Sequence, residues 1–339
     1  MASTSTPHLF LLAMDQRDSI EQKLYELESA PTPVEAASIA ANKLLVFRGL
    51  LDAVADLPDG ARAGFLVDEQ YGASPAVLAG QDESVALAMP IEASGQQWFD
   101  FAYGADWRSH AEFFGTDHAK VLVRDNPGLD AGERTQQAER LAEVSAWSTE
   151  GGHALILELL VAATDDDLAK VGGDSGRYDA EVRPGLTVQA MEFLQDHGVE
   201  PAIWKIEGLA TREAAERIAA AARRDGRTAQ CIVLGRHAPT EQLDEWLRIA
   251  APVEGFLGFA IGRSIWWDVL EGRLSGELDE AEARRRIAEN YTGFVRTYLA
   301  ALEGRAPTRT AAAASARTAR AVPRPGSAPR RGRTATGRR

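Results

Sequence analysis

Residues 201–235 read PAIWKIEGLATREAAERIAAAARRDGRTAQCIVLG, and the periods within them decide the fold. PAIWKIE (201–207) is a short run rich in apolar, β-branched and aromatic residues. AAERIAAAARR (214–224) has the pattern of an amphipathic helix, and AQCIVLG (229–235) is a second strand-like run closed by glycine. Working outward, the same alternation continues in both directions. HLFLLAM (8–14), ARAGFLV (61–67), VALAMPI (85–91), HAKVLVR (118–124) and HALILELLV (153–161) come before it, and GFLGFAIG (255–262) comes after. EQLDEWLRIAA (241–251) supplies another amphipathic segment between the last two runs. Strand and helix alternating eight times predict an α/β architecture, a single (β/α)8 TIM barrel. An open doubly wound sheet is the competing arrangement, but no GxGxxG follows the first strand.

The chain has 339 residues, 45% of them hydrophobic and 26% charged, enough apolar material for a sizeable core in a soluble protein. Its one cysteine, Cys231, has no partner for an internal disulfide and fits a reducing cytosol, so a cytoplasmic location is expected. No apolar run approaches the roughly 20 residues of a membrane span. HLFLLAM is too short for a signal core and leads straight into charge. Charge is uneven along the chain. Residues 305–339 hold ten arginines and no acid, so against a net charge of −13 the body carries about −23. The division expected is therefore a barrel over 1–304 and a disordered basic C-terminal tail over 305–339. That tail is the one segment suited to nucleic acid, or it lies on its own acidic body; the body itself argues against nucleic acid as the main partner.

In a (β/α)8 barrel, function collects where strands end and the following loops begin. Here strand one runs into Asp15-Gln16-Arg17 and strand two into Asp68-Glu69-Gln70-Tyr71-Gly72. Strand four carries Lys120 and ends at Arg124, strand five carries Glu158, and strand six carries Lys205 and Glu207. Strands seven and eight finish in Gly235-Arg236 and Gly262-Arg263-Ser264. Only five lysines occur in the chain, and two of them, Lys120 and Lys205, fall inside predicted strands. A desolvated amine with a cation beside it loses its proton more readily, and a neutral amine condenses with a ketone to a Schiff base. Lys205 is the candidate nucleophile, Lys120 the neighbour that perturbs it, and Glu158 the proton shuttle. The plainer alternative is a buried ion pair of Lys205 with Glu207 or Glu158.

The Gly-Arg elements after strands seven and eight suit a phosphate, with backbone amides at a helix start and a basic side chain beside them. Gly262 permits close backbone approach, Ser264 is placed to cap the next helix, and Arg263 supplies a bidentate donor. Gly235 and Arg236 form the corresponding pair, and in both places a surface Arg–acid contact is the competing account. No metal or other cofactor is expected: the six histidines form no HxH or HExxH, and His8, His118 and His153 sit near strand starts. Asp15, Asp68 and Glu69 remain the residues that would take a divalent ion. Trp98, Phe99 and Phe101, in the loop after strand three, would either cover a substrate or anchor the loop, and Trp266-Trp267 would pack in the core or line an interface.

LAMDQR (12–17), FLVDEQYG (65–72), AKVLVR (119–124), LILELL (155–160), IWKIEG (203–208), IVLGR (232–236) and GFAIGRSIWW (258–267) together resemble the class I (Schiff-base) barrel family of tagatose-bisphosphate and sulfofructose-phosphate aldolases. Within it the nearest likeness is to the 2-deoxy-5-keto-gluconate 6-phosphate aldolase domain of bacterial myo-inositol catabolism, which yields dihydroxyacetone phosphate and malonate semialdehyde. The likeness runs in order from about residue 8 to 300 and leaves out the tail. It implies a carbon–carbon lyase of carbohydrate metabolism, with Lys205 forming the Schiff base, Glu158 transferring protons and Lys120 beside them. It implies also that Asp15 and Gln16 contact sugar hydroxyls and that Arg263 holds phosphate. Asp68, Arg124 and Glu207 are further candidate substrate contacts; Gly235, Arg236 and Gly262 join Arg263 around phosphate. Two departures stand out. Arg236 occupies a segment, LGRHA, where the family has small residues and serine, and Arg124 replaces an aromatic position. A second cation far from the phosphate suits a substrate with two anionic ends, such as a keto sugar acid phosphate, a ketose bisphosphate or sulfofructose phosphate. A non-catalytic sugar-phosphate-binding barrel is the reading outside enzymology, and a homo-oligomer is expected in each case.

Overall fold

The computed structural model describes residues 7–236 and 238–304. Eight parallel strands close into a barrel in sequence order, the last pairing with the first. They are β1 (His8–Met14), β2 (Ala61–Val67), β3 (Val85–Pro90), β4 (His118–Arg124), β5 (Ala154–Leu160), β6 (Ile203–Glu207), β7 (Gln230–Leu234) and β8 (Phe256–Ile261). Each coincides with one of the eight runs read from sequence, trimmed by up to two residues at an end. Around them stand α1 (Pro33–Val54), α2 (Glu69–Gly80), α3 (Trp107–Phe113), α4 (Ala131–Gly151), α5 (Arg183–Asp196), α6 (Arg212–Ala222), α7 (Thr240–Ala250), α8 (Arg263–Leu274) and α9 (Glu280–Leu302). The expected disordered tail, 305–339, lies outside the described residues. Among the described residues no helix is long and apolar enough to cross a membrane.

Local chemistry starts these helices where they start. Thr32 and Glu35 form a capping box with Pro33 in the first turn of α1; Asp68 accepts from the Tyr71 amide at α2; Thr211 caps α6. Strand side chains alternate between two apolar layers. Phe10, Leu12, Phe65, Leu157, Trp204 and Phe259 point outward into the core under the helices. Leu9, Leu11, Leu66, Ile156, Ile203 and Ile232 point inward and fill the lower barrel. That inner plug matters for chemistry, because any polar group standing on it faces hydrocarbon below rather than water. At the seam, α9 packs on α1 so closely that a Cβ on Gly49 would lie 2.7 Å from Ile287 Cγ2. The phenol of Tyr291 donates to the Phe10 carbonyl (2.7 Å) and that of Tyr298 to the Phe256 carbonyl (2.9 Å), tying the closing helix to β1 and β8.

Candidate active site

Directly above the plug the interior becomes ionic. Parallel pairing sets Leu122 opposite Glu158 and Glu158 opposite Lys205, so β4, β5 and β6 present adjacent polar side chains at neighbouring heights. Lys205 is 2% exposed and its Nζ donates to Glu158 Oε2 at 2.8 Å. The same oxygen lies 3.0 Å from Lys120 Nζ. Lys120 is 1% exposed, and its ammonium also donates to Asp15 Oδ2 (2.9 Å) and Glu92 Oε1 (2.6 Å). Three carboxylates therefore share one ammonium, whose three protons match three acceptors. Of the alternatives read from sequence, Lys205 takes Glu158 and not Glu207 as its ion-pair partner.

The electrostatics divide these carboxylates into two kinds. Burial pushes Asp15 and Glu158 up, but the ammoniums of Lys120 and Lys205 outweigh it and leave both below the ordinary carboxylate range. For Glu92, burial prevails over the pull of Lys120 and Arg17, and the carboxyl is raised. Lys120 is itself held well above the usual lysine range: burial lowers it, but Asp15, Glu158 and Glu92 together more than compensate.

These groups form the floor of a cavity of about 330 Å³ opening at the C-terminal ends of the strands, within the size range of small-molecule sites. Its wall carries six basic side chains (Arg17, Lys120, Arg124, Lys205, Arg236 and Arg263) against four carboxylates. On a body as acidic as this one, such a pocket concentrates anions locally. Arg263 opens α8, and among the described residues its guanidinium has no hydrogen-bonding partner; burial lowers its pKa despite the fields of Asp15 and Glu158. Gly262, immediately before it, is required by close approach, since a Cβ there would sit 2.2 Å from the Ala13 carbonyl oxygen. Arg236 is differently placed. Its backbone lies in the left-handed region (φ 51°), and its Nη1 contacts both Asp179 oxygens and Glu207 Oε1 at 3.1 Å each. Arg124 donates to the Gln96 carbonyl at 2.6 Å and so secures the loop after β3 across the mouth.

Of the residues singled out by sequence, Asp15, Gln16, Lys120, Arg124, Glu158, Lys205, Gly235, Arg236, Gly262 and Arg263 converge on this cavity, and Asp68 and Glu207 do not. Asp68 is fully buried between strand and helix, where one oxygen caps α2 and the other meets Lys43 of α1. Glu207 lies behind Arg236; it accepts from the Val161 amide at 3.0 Å and faces Arg183 Nη1 at 3.8 Å. Ser264 is not the cap of α8, which is Gly262; its hydroxyl instead donates to the Ala238 carbonyl at 3.2 Å. Asp15, Asp68 and Glu69 are separately engaged by Lys120, Lys43 and His110, and among the described residues no group of three or more His, Cys, Asp or Glu is placed to hold a metal ion. In the loop after β3, Trp98 and Phe99 line the cavity while Phe101 stacks on Trp107 at 4.7 Å and 12°. Trp266 is core, its indole donating to the Ala13 carbonyl at 2.9 Å.

Two participants were missed in the sequence. Glu92 follows Ala86, Ala88 and Pro90 at period two, so continuing the inward face of β3 by one step would have found it. Lys43 gave no such signal, because it reaches the β1 end from a helix.

These placements stand on a chain whose family is known by sequence: the model for uncharacterized proteins conserved in bacteria (DUF2090) matches residues 1–301. The chain belongs to the DUF2090 family. No curated protein matches it in sequence. Among solved structures, this DUF2090 chain is similar to fructose-bisphosphate aldolase from Plasmodium falciparum, with a TM-score of 0.62, 13% identity and coverage of 88% of this chain and 91% of that one. It is similar also to Cgl0159 from Corynebacterium glutamicum, with a TM-score of 0.51, 18% identity and coverage of 84% and 85%. At these identities the likeness is one of fold, an eight-stranded parallel barrel.

Proposed function

We propose that this DUF2090 protein is a class I aldolase, a lyase that cleaves a phosphorylated keto sugar through a Schiff base on Lys205. One observation carries the reading: a lysine 2% exposed stands on an apolar floor, bonded at 2.8 Å to a carboxylate that faces an anion-attracting cavity. A merely structural lysine would be expected to have its pair sealed in hydrocarbon, not set against open space large enough for a sugar phosphate.

The chemistry follows from the geometry. The Lys205 amine, once neutral, attacks the substrate ketone; the carbinolamine then loses water to give an iminium. Glu158, within hydrogen-bonding distance of that nitrogen, exchanges the protons these steps require. A base removes the proton of the hydroxyl on the second carbon from the iminium carbon. The bond joining that hydroxyl-bearing carbon to the carbon next to the iminium breaks, its electron pair moves toward the iminium to give an enamine, and an aldehyde leaves. Protonation of the enamine carbon and hydrolysis release the ketone and restore Lys205. Asp15 and Gln16 border the space a hydroxyl chain would fill. Arg263, free of protein partners among the described residues, is the phosphate anchor, with the α8 amide groups beside it.

Arg124 and Arg236 supply positive charge elsewhere on the wall, which supports a substrate with a second anionic end. The sequence resemblance selects 5-dehydro-2-deoxy-gluconate 6-phosphate, giving dihydroxyacetone phosphate and malonate semialdehyde. Borohydride added with dihydroxyacetone phosphate should inactivate the enzyme and leave a reduced adduct on the peptide containing Lys205. A Lys205→Met protein should neither trap nor cleave. Ligand-induced stabilisation with no adduct and no turnover would replace the aldolase reading by a sugar-phosphate-binding barrel. Cleavage rates on the keto sugar acid phosphate, tagatose bisphosphate and sulfofructose phosphate fix the substrate; equal or faster turnover of tagatose bisphosphate defeats the inositol-route assignment.

A further inference from the structure

The aldolase reading leaves Glu92, a buried acid of the cavity wall, without a role. Glu92 is 6% exposed and lines the cavity, and its backbone is fixed by a bridge to Phe101 and by Arg17 Nη2, which donates to its carbonyl at 2.9 Å. Oε1 accepts from Lys120, while Oε2 is buried with no hydrogen-bonding partner among the described residues. A buried carboxylate oxygen without a donor is an anion held at a cost, and taking up a proton relieves it. The groups that act on it are Lys120 from β4, Arg17 from the loop after β1 and Asp15 at the end of β1. Burial leaves Glu92 raised despite two of those being cations, the direction an acceptor of protons needs.

A Schiff-base lysine must shed a proton before it can attack, and the apolar plug below closes off water from that side. From Lys205 Nζ the contacts run to Glu158 Oε2 (2.8 Å), on to Lys120 Nζ (3.0 Å), and on to Glu92 Oε1 (2.6 Å). We propose that Glu92 is the proton reservoir of this site, receiving through Glu158 and Lys120 the proton that Lys205 gives up to become nucleophilic. The transfer balances. Lys120 releases one of its protons to Glu92, Lys205 gives one to Glu158, and Glu158 passes one to Lys120 in its place. Lys205 ends neutral and Glu92 ends as the acid, while Glu158 and Lys120 finish in the charge states in which they began. Net charge in the cluster does not change, so no ion has to be created in a medium that solvates it poorly. Glu92 acts through Lys120 and Glu158.

This inference rests on the Schiff-base reading, and its test separates the two. Glu92→Gln keeps an oxygen for Lys120 to donate to but takes up no proton at neutral pH. The rate of borohydride-trapped adduct formation with saturating dihydroxyacetone phosphate is measured from pH 6 to 9 for wild type and Glu92→Gln. The wild-type rate should vary little, whereas the Glu92→Gln rate should be about 100-fold lower at neutral pH, a typical worth of positioned proton transfer. It should also climb with pH as solvent base takes over. Glu92→Asp, which retains a titrating group, should keep a wild-type-like profile at reduced rate, and it serves if Glu92→Gln fails to fold. Trapping by Glu92→Gln at the wild-type rate with the wild-type profile, or a Glu92→Asp profile that climbs steeply, overturns the reservoir and leaves the aldolase standing. Absence of a trapped adduct in the wild type overturns both.

Discussion

Replacing Lys43 by methionine should unfold or nearly unfold this protein, although Lys43 lies outside the cavity. Its side chain is wholly buried, and the ammonium donates to the Met14 carbonyl (2.7 Å), to the Gln16 carbonyl (2.9 Å) and to Asp68 Oδ2. Every proton it has is used, and the two carbonyls flank Asp15 in the chain. Methionine fills the space without donating. An unpaired Asp68 carboxylate then costs about 3–5 kcal/mol, and two carbonyls that lose a donor cost about 1 kcal/mol each. The sum, about 5–7 kcal/mol, rivals the whole stability of many domains, about 5–15 kcal/mol. Lys43→Met with Asp68→Asn should recover about 2–3 kcal/mol. Asparagine removes the stranded charge and keeps an oxygen to cap the Tyr71 amide. Urea denaturation followed by fluorescence of the seven tryptophans measures both proteins. A loss under about 1 kcal/mol in Lys43→Met, or a double variant no more stable than the single one, would refute the account of Lys43 as the clamp on the β1 end.

Other outcomes follow from the same geometry. Arg263→Ala should raise KM for a phosphorylated substrate by about 10–100-fold, the worth of a charge-assisted hydrogen bond, while Arg236→Ala should do less because Asp179 and Glu207 already occupy that guanidinium. Equal effects in steady-state kinetics would contradict this ranking. His118, at the start of β4, is lowered by burial from 6.5 to about 4. Between about pH 6.5 and 4 the unfolded chain binds a proton at this imidazole that the folded one refuses, so stability falls as pH drops through that window, by about 3 kcal/mol. Denaturation midpoints across that range should show the decline in wild type and a shallower one in His118→Gln; parallel slopes would assign it elsewhere.

How far the site could be read from sequence varies residue by residue. Lys205 and Glu158 were readable as a pair because adjacent parallel strands bring their inward faces together and period two says which side chains share that face. Arg263 was readable from its place after the last strand. Asp68 misled, for a polar residue at a strand end looks the same whether it faces a cavity or caps the next helix.

Strand spacing, helical periodicity and the punctuation between them were enough by themselves to specify an eight-stranded α/β barrel and the mouth at which its polar strand ends gather. Those are local properties, set by side-chain direction along a strand and by capping chemistry at a helix start. Partner choice among these charges was settled only in three dimensions: Lys120 takes Glu92 from just after β3, Lys43 of α1 takes Asp68 from the end of β2, and Arg236 is held by Asp179 and Glu207 while Arg263 has no hydrogen-bonding partner among the described residues. An ion buried in hydrocarbon bonds to whichever opposite charge lies within about 3 Å, and that distance belongs to the closed barrel, not to any spacing along the chain.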